Sequence, residues 1–178
     1  MQFTPELEFQ GGRVRPLTND DIDRLFEIYQ APEIPEQRPL EDKNHCQRMV
    51  ELSQQMAATQ RGMMWLLENT EQQCLGVVSI YDWQPSLLKA TIRVDGLPTL
   101  PSMIRAEAIK TCIQFMNEKY HIRNVAFQWV EGQSEELIDM IKTLGFTQSA
   151  RLRESWRTAQ NTFRDVIHFH YLIQESAE

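Results

Sequence analysis

Gly96-Leu97-Pro98-Thr99-Leu100-Pro101-Ser102-Met103-Ile104-Arg105-Ala106-Glu107-Ala108-Ile109 is the stretch on which the reading of the fold turns. Its first half, broken by Gly96, Pro98 and Pro101, is a loop, and Ser102 is placed to cap the start of a long helix running to about Lys119. Ile104, Ala108, Cys112, Phe115 and Met116 recur at helical spacing and form its buried stripe. Upstream, short apolar runs follow one another through polar turns. Downstream, strands and helices alternate.

Going back from the loop, residues 88–95 and 74–83 read as strands, and Met63-Met64-Trp65-Leu66-Leu67 as a buried one. The polar turns between them favour an antiparallel meander. A helix is expected at about 43–58, burying Met49, Val50, Ser53, Met56 and Ala57. Before it, Pro32, Pro35 and Pro39 force an extended loop. Ile22, Leu25, Phe26 and Tyr29 make an amphipathic helix, opened by a capping box from Thr18 to Asp21. Val14 and Leu17 belong to a first short strand closed near Pro16, and residues 1–12 are expected to be a loose arm.

Going forward, Val125, Phe127 and Trp129 alternate on a strand. Ser134 caps the next helix, with Glu135 and Glu136 set against its dipole. Gly145 ends that helix in the left-handed conformation and Phe146 packs back on its last turn. Strands at about 148–157 and 164–173 close the chain through the turn at 158–161. The order β-α-α-β-β-β-α-β-α-β-β describes a mixed α/β (α+β) fold: a mostly antiparallel seven-stranded sheet with about four helices, forming one domain over 13–178.

Bulk properties bound the function. The 178 residues are 42% hydrophobic and 24% charged, enough for one substantial core. Lys and Arg number 18 against 25 Asp and Glu, a net charge of -7, and no basic run exists to follow a phosphate backbone. General nucleic-acid binding is therefore not expected. Neither a signal peptide nor a membrane-length apolar stretch is visible, and Cys46, Cys74 and Cys112 lack CxxC spacing. A cytoplasmic protein with small buried thiols is expected, without disulfide or metal site. His168 and His170 alternate on the last strand, but no third ligand accompanies them.

Four strings, in this order and spacing, resemble the GNAT superfamily of acyl-CoA-dependent N-acyltransferases, within it the ribosomal-protein N-terminal acetyltransferases. They are Arg13-Val14-Arg15-Pro16-Leu17; Ala106-Glu107-Ala108-Ile109; Leu144-Gly145-Phe146; and Arg151-Leu152-Arg153-Glu154 followed by Phe163-Arg164-Asp165-Val166. The likeness covers about Gly12 to Ile173. It implies acetyl-CoA as co-substrate, held by backbone N–H groups where the long helix begins, since orphan donors and a positive dipole end meet an anion there. Val94, Gly96, Ser102, Met103, Ile104, Arg105 and Ser134 fall at cofactor-contacting positions. The family's loop has two glycines where this chain carries Pro101, which has no N–H, and Met103, whose side chain is expected to crowd the phosphate oxygens. Ile141 stands where many relatives have a Tyr that protonates the leaving thiolate.

Amine acetylation needs a base or water relay, because a protonated amine has no lone pair. Asp95, at the end of the strand beside the cofactor, and Glu154 are the candidate bases, and the resemblance puts a backbone N–H of that strand on the oxyanion. Glu33 and Glu36 are candidates for binding a cationic amine, and Tyr81 and Trp83 for lining the acceptor groove. A cation in the first turn of a helix opposes the dipole, so Arg105 either holds an anion with the N–H groups of Met103 and Ile104 or pairs with Glu107 or Asp95. The preserved frame implies an N-acetyltransferase for a small-molecule amine or a protein N-terminus, as monomer or homodimer. The altered loop implies a GNAT-shaped binding or regulatory domain without transferase activity.

Overall fold

The computed structural model describes residues 4–174. Eight strands form one sheet in the order β1-β2-β3-β4-β5-β6-β8-β7, with β1 at Leu7–Phe9, β2 at Gly12–Pro16, β3 at Met63–Asn69, β4 at Cys74–Gln84, β5 at Lys89–Gly96, β6 at Asn124–Val130, β7 at Thr147–Arg157 and β8 at Phe163–Leu172. The helices are α1 (Ile22–Ile28), α2 (Asn44–Ala58), α3 (Ser102–Tyr120) and α4 (Glu135–Thr143). All neighbours pair antiparallel except β5 and β6. The mixed, mostly antiparallel sheet and the four helices match expectation. The strand count does not.

The additional strand is β1, inside the stretch expected to be a loose arm. Gly11 supplies a left-handed turn (φ +105°) that brings Phe9 opposite Gly12 and Leu7 opposite Val14. Leu7 and Phe9 then pack on the core beside α3, and the Trp65 indole N–H donates to Pro5 O at 3.0 Å. Burial of two apolar side chains and one indole hydrogen bond holds the segment in place. Its Met1–Phe3 portion lies outside the described residues.

β3 shows how the sequence builds two cores. Residues 63–68 are all buried, and alternate side chains go to opposite faces. Met63, Trp65 and Leu67 join the cluster under α3 and α4, while Met64 and Leu66 join Leu25, Ile28, Cys46 and Val50 under α1 and α2. The same alternation runs along β5. Ile92 and Val94 belong to the α3 side, which leaves Arg93 and Asp95 facing the α1 side.

β5 and β6 pair only from Lys89↔Asn124 to Thr91↔Ala126. Residues 92–96 and 127–130 then separate, opening a wedge through the sheet toward the amino ends of α3 and α4.

Candidate active site

Arg105 fills the wedge. It lies in the first turn of α3, yet its side chain is only 8% exposed, and both terminal guanidinium nitrogens reach the Glu33 carboxylate, Nη1 to Oε2 at 3.1 Å. The partner is therefore neither Glu107 nor Asp95. Sequence distance hides it, since Glu33 sits on the proline-rich loop between α1 and α2. Nη1 also donates to Val94 O at 3.1 Å. Within a strand the N–H and C=O of one residue point the same way, so Val94 presents both groups to the gap.

The α1 side of the wedge carries a polar chain. Asp95 Oδ1 accepts from Arg93, at 2.9 Å from Nε and 2.8 Å from Nη2, while Oδ2 accepts from the Tyr29 hydroxyl at 3.1 Å. Burial works against the Arg93 charge, but Asp95 more than offsets it, so the pKa lies above its ordinary value. Burial pushes the Tyr29 hydroxyl well above the usual phenol range, and the Asp95 charge pushes the same way. Burial also raises Tyr81. A small cavity of about 30 Å³ lies here, lined among others by Glu33, Tyr81, Asp95, Arg105, Gln128 and Trp156.

The opposite mouth is wider, about 430 Å³, bordered by Gly96, Leu97, Ser102, Arg105, Ser134 and Glu136, with Glu33 on its inner wall. Pro101, not Ser102, occupies the cap position of α3. Its extended backbone (ψ 141°) lets its carbonyl accept the first helical bond from Arg105 N at 3.1 Å. Ser102 is the first helical residue, and its hydroxyl donates to Glu136 at 2.7 Å, linking the amino ends of α3 and α4. The N–H groups of 102–104 precede the first helical bond and are orphan donors. Met103 is 78% exposed. Ser134 caps α4 as expected, accepting from Glu136 N at 3.2 Å.

Other sequence candidates lie elsewhere. Glu154 occupies an exposed bulge of β7 at φ +51°, where its N–H donates to Asp165 at 3.0 Å. Glu36 ties its loop to the closing hairpin through Arg164 and Thr162, at 3.3 Å each, and borders neither mouth. Trp83 packs on Tyr120 in the α3 core, with ring centres 4.6 Å apart. Ile141 is fully buried. His168 and His170 stack on the hairpin, where His170 meets the Ser149 hydroxyl. Cys46 and Cys112 are buried and Cys74 half-buried, and burial raises all three thiol pKa values.

The sequence reading did not include Tyr29, which bonds Asp95, or the lining residues Arg93 and Trp156. Tyr29 lies on the apolar stripe of its helix and passed for core. Arg93 did carry a signal, since an arginine two residues from Asp95 on one strand must share its face. Trp156 reaches the cavity by the bulge in β7, which sequence does not locate.

Residues 13–147 match the model of the acetyltransferase (GNAT) domain. The chain belongs to this family. Membership puts the protein in the acyltransferase class of enzymes. No curated protein matches the sequence. Among solved structures, the ribosomal-protein-S5-alanine acetyltransferase of Vibrio fischeri superposes with a TM-score of 0.81 at 11% identity, over 95% of this chain and 97% of that one. RimL, a ribosomal L7/L12 α-N-protein acetyltransferase in complex with coenzyme A, gives 0.80 at 12% identity, over 93% and 96%. Spermidine/spermine N-acetyltransferase SpeG from Vibrio cholerae gives 0.72 at 13%, over 91% and 92%. At these identities the likeness is one of fold. No helix among the described residues is long and apolar enough to cross a membrane.

Proposed function

We propose that this GNAT protein is an acetyl-CoA-dependent N-acetyltransferase whose acceptor is an amine, either a small molecule or a protein N-terminus. One observation carries the reading: the parallel β5–β6 pair comes apart beyond Thr91, leaving the Val94 edge open onto a small cavity in the wedge, next to a wide mouth at the start of α3.

The residues present fit such a donor in part. The wide mouth is bordered by Ser102 at the start of α3, whose N–H and those of the next two residues are orphan donors, and by Gly96 at the end of β5. Exposure of Met103 carries its side chain away from the helix axis. Pro101 withholds one donor, Glu136 adds an unfavourable negative charge beside Ser134, and Arg105 occupies the inner slot. Donor binding therefore requires the Arg105 side chain to move.

Acetyl-CoA supplies the activated acyl group as a thioester. Glu33 and Tyr81 are proposed to receive the amine, and Asp95 to accept its proton through water, because both Asp95 oxygens already hold partners. A Val94 N–H on the open edge is proposed to meet the developing oxyanion. Nothing in the geometry brings Glu154 or Trp83 into this sequence.

The family match does not favour the alternative of a GNAT domain without transferase activity, and acetyl-CoA titration tests the transferase reading. A ligand that binds only the native state raises the melting temperature in a saturable manner. The transferase reading expects this shift, together with thiol release on adding an amine acceptor. No shift at about 1 mM acetyl-CoA, where a Kd near that value already yields a fraction of a kcal/mol, sinks the acetyl-CoA assignment.

A further inference from the structure

Glu33 and Arg105 line both cavities, the small one in the wedge between β5 and β6 and the wide one at the start of α3, so their ion pair is part of the wall between them. The wall is made of two side chains from elements far apart in sequence, one on a helix and one on a loop. Leu137 of α4 is the other residue common to both. Turning the Arg105 side chain off Glu33 removes most of this partition without moving any strand.

We propose that Arg105 is a two-position recognition residue for the acyl donor, closing the wedge on Glu33 in the free protein and transferring to the phosphates of a coenzyme A-type donor on binding. The inference rests on the acyl-CoA reading above and adds to it a defined order, donor first.

Four physical points support it. The guanidinium already borders the wide cavity, so a rotamer change suffices to face it. A buried ion pair lies near balance between Coulomb gain and desolvation cost, so a stronger anion can displace the carboxylate. A diphosphate offers Arg the same bidentate geometry with more charge. Lastly, Arg105 Nη1 occupies Val94 O, the backbone acceptor at the open strand edge, and departure of the side chain releases that group too.

The consequence for Glu33 is specific. Paired, its charge is neutralised by Arg105. Released, it stands as an uncompensated carboxylate on the wall of the acceptor cavity, where a cationic amine is the complementary ligand. The donor thus prepares the acceptor site, and linkage makes the effect reciprocal.

Calorimetric titration with coenzyme A of the wild type, Glu33→Gln, Arg105→Gln and the double variant tests this. A latch closed nine-tenths of the time lowers apparent affinity about tenfold, so Glu33→Gln is expected to bind several-fold tighter than wild type. Arg105→Gln is expected to bind several-fold weaker, and the double variant to follow Arg105→Gln, because the Glu33 effect acts through Arg105. Unchanged affinity in Glu33→Gln overturns the latch. Affinity in Arg105→Gln equal to or above wild type overturns the transfer and makes the side chain a simple plug. Should Arg105→Gln not fold, Arg105→Lys replaces it, keeping the charge but losing the fork, and must weaken binding. Absence of binding to every folded variant, Glu33→Gln included, is a different outcome, since it removes the acyl-CoA reading itself.

Discussion

The Tyr29 hydroxyl donates to Asp95 Oδ2 at 3.1 Å, joining the end of α1 to the strand edge that forms the wedge. Asp95 needs this second partner because Arg93 engages only Oδ1. Tyr29→Phe keeps the ring and deletes the donor, leaving half of a largely buried carboxylate without a partner. The expected loss is about 1.5–3 kcal/mol, the usual range for a hydrogen bond to a charged group. Urea unfolding of the variant checks it. An unchanged midpoint means that water replaces the hydroxyl.

Alkaline pH should destabilise the protein before any carboxylate matters. Burial raises Cys74 to about 11 from an ordinary thiol value, and raises Tyr29 and Tyr81 above the ordinary phenol value. These groups stay protonated in the fold after they ionise in the unfolded chain, so the folded state binds more protons and stability falls as pH rises. For Cys74 the contribution is complete below about pH 8.5, the unfolded thiol value, and is lost as pH climbs toward about 11. Urea midpoints at pH 8 and pH 10.5 measure the slope. Cys74→Ala is expected to flatten it, and an equal slope would place the loss in other groups.

Acid acts through Asp21. This carboxylate is fully buried and takes a fork from Arg15 at 2.7 and 2.9 Å, the Thr18 N–H at 2.8 Å and Arg24 at 3.2 Å. Burial alone would raise its pKa, but the Arg15 and Thr18 bonds more than offset burial and the net value lies below the ordinary one. The stabilisation is therefore present above about pH 4, the unfolded carboxylate value, and is lost as pH falls toward the folded value. Asp21→Asn is expected to cost about 3 kcal/mol, the low end for breaking a buried ion pair, because Glu68 still holds Arg15 at 2.8 Å. It should also remove much of the acid dependence between pH 5 and pH 3. A small cost with an unchanged pH profile would refute the assignment.

Much of the fold was legible because its signals are local. The alternation along β3, the stripe of α3, the Ser134 cap and the left-handed Gly145 each depend on residues within a few positions of one another. β1 also has a local signal: Leu7 and Phe9 alternate ahead of Gly11-Gly12, the pattern of a hairpin rather than of a loose arm. The site was less legible because its decisive contact is non-local. Nothing in the spacing of Glu33 and Arg105 announces their pairing, which exists only because β5 and β6 separate. Met103 and Pro101 were conspicuous by comparison with a motif, whereas the side chain that occupies the slot lies two residues further on. Local propensity cannot locate the β7 bulge that brings Trp156 to the cavity and leaves Glu154 outside it.

Trp156 gives a prediction about acceptor size. It lines the small cavity beside Gln128 and packs with Ile34, Val130 and Val166. Trp156→Ala removes a large ring from the acceptor wall while the donor mouth keeps its lining. On the proposed function, activity is expected to shift toward bulkier amines, with kcat/KM for the smallest acceptor falling and coenzyme A affinity unchanged. Rates over a size series of primary amines check it, and an unaltered preference would place the acceptor elsewhere.

Gly96 controls how closely the wedge can be lined. A Cβ built there would collide with Leu100 Cδ2, stand 3.2 Å from Leu100 Cβ and meet Arg105 Nη2 at 3.0 Å. The position also faces Gly76 across β4 and β5, where a Cβ on Gly76 would meet Asp95 O at 2.5 Å, so neither strand can retreat toward the other. Leu100 is buried, and overpacking such a site costs about 1–3 kcal/mol. Gly96→Ala is therefore expected to lower stability by that amount. The strain runs through one neighbour, which makes it separable: Leu100→Ala removes the atoms that the new methyl meets, at its own cavity cost. The double variant should be more stable than the sum of the two single losses predicts, with a coupling of about 1 kcal/mol, as for residues in direct contact. Urea unfolding of the four proteins supplies the cycle. Additive losses would mean that the Arg105 guanidinium, rather than Leu100, carries the clash, and the Gly96→Ala cost would then disappear in an Arg105→Gln background.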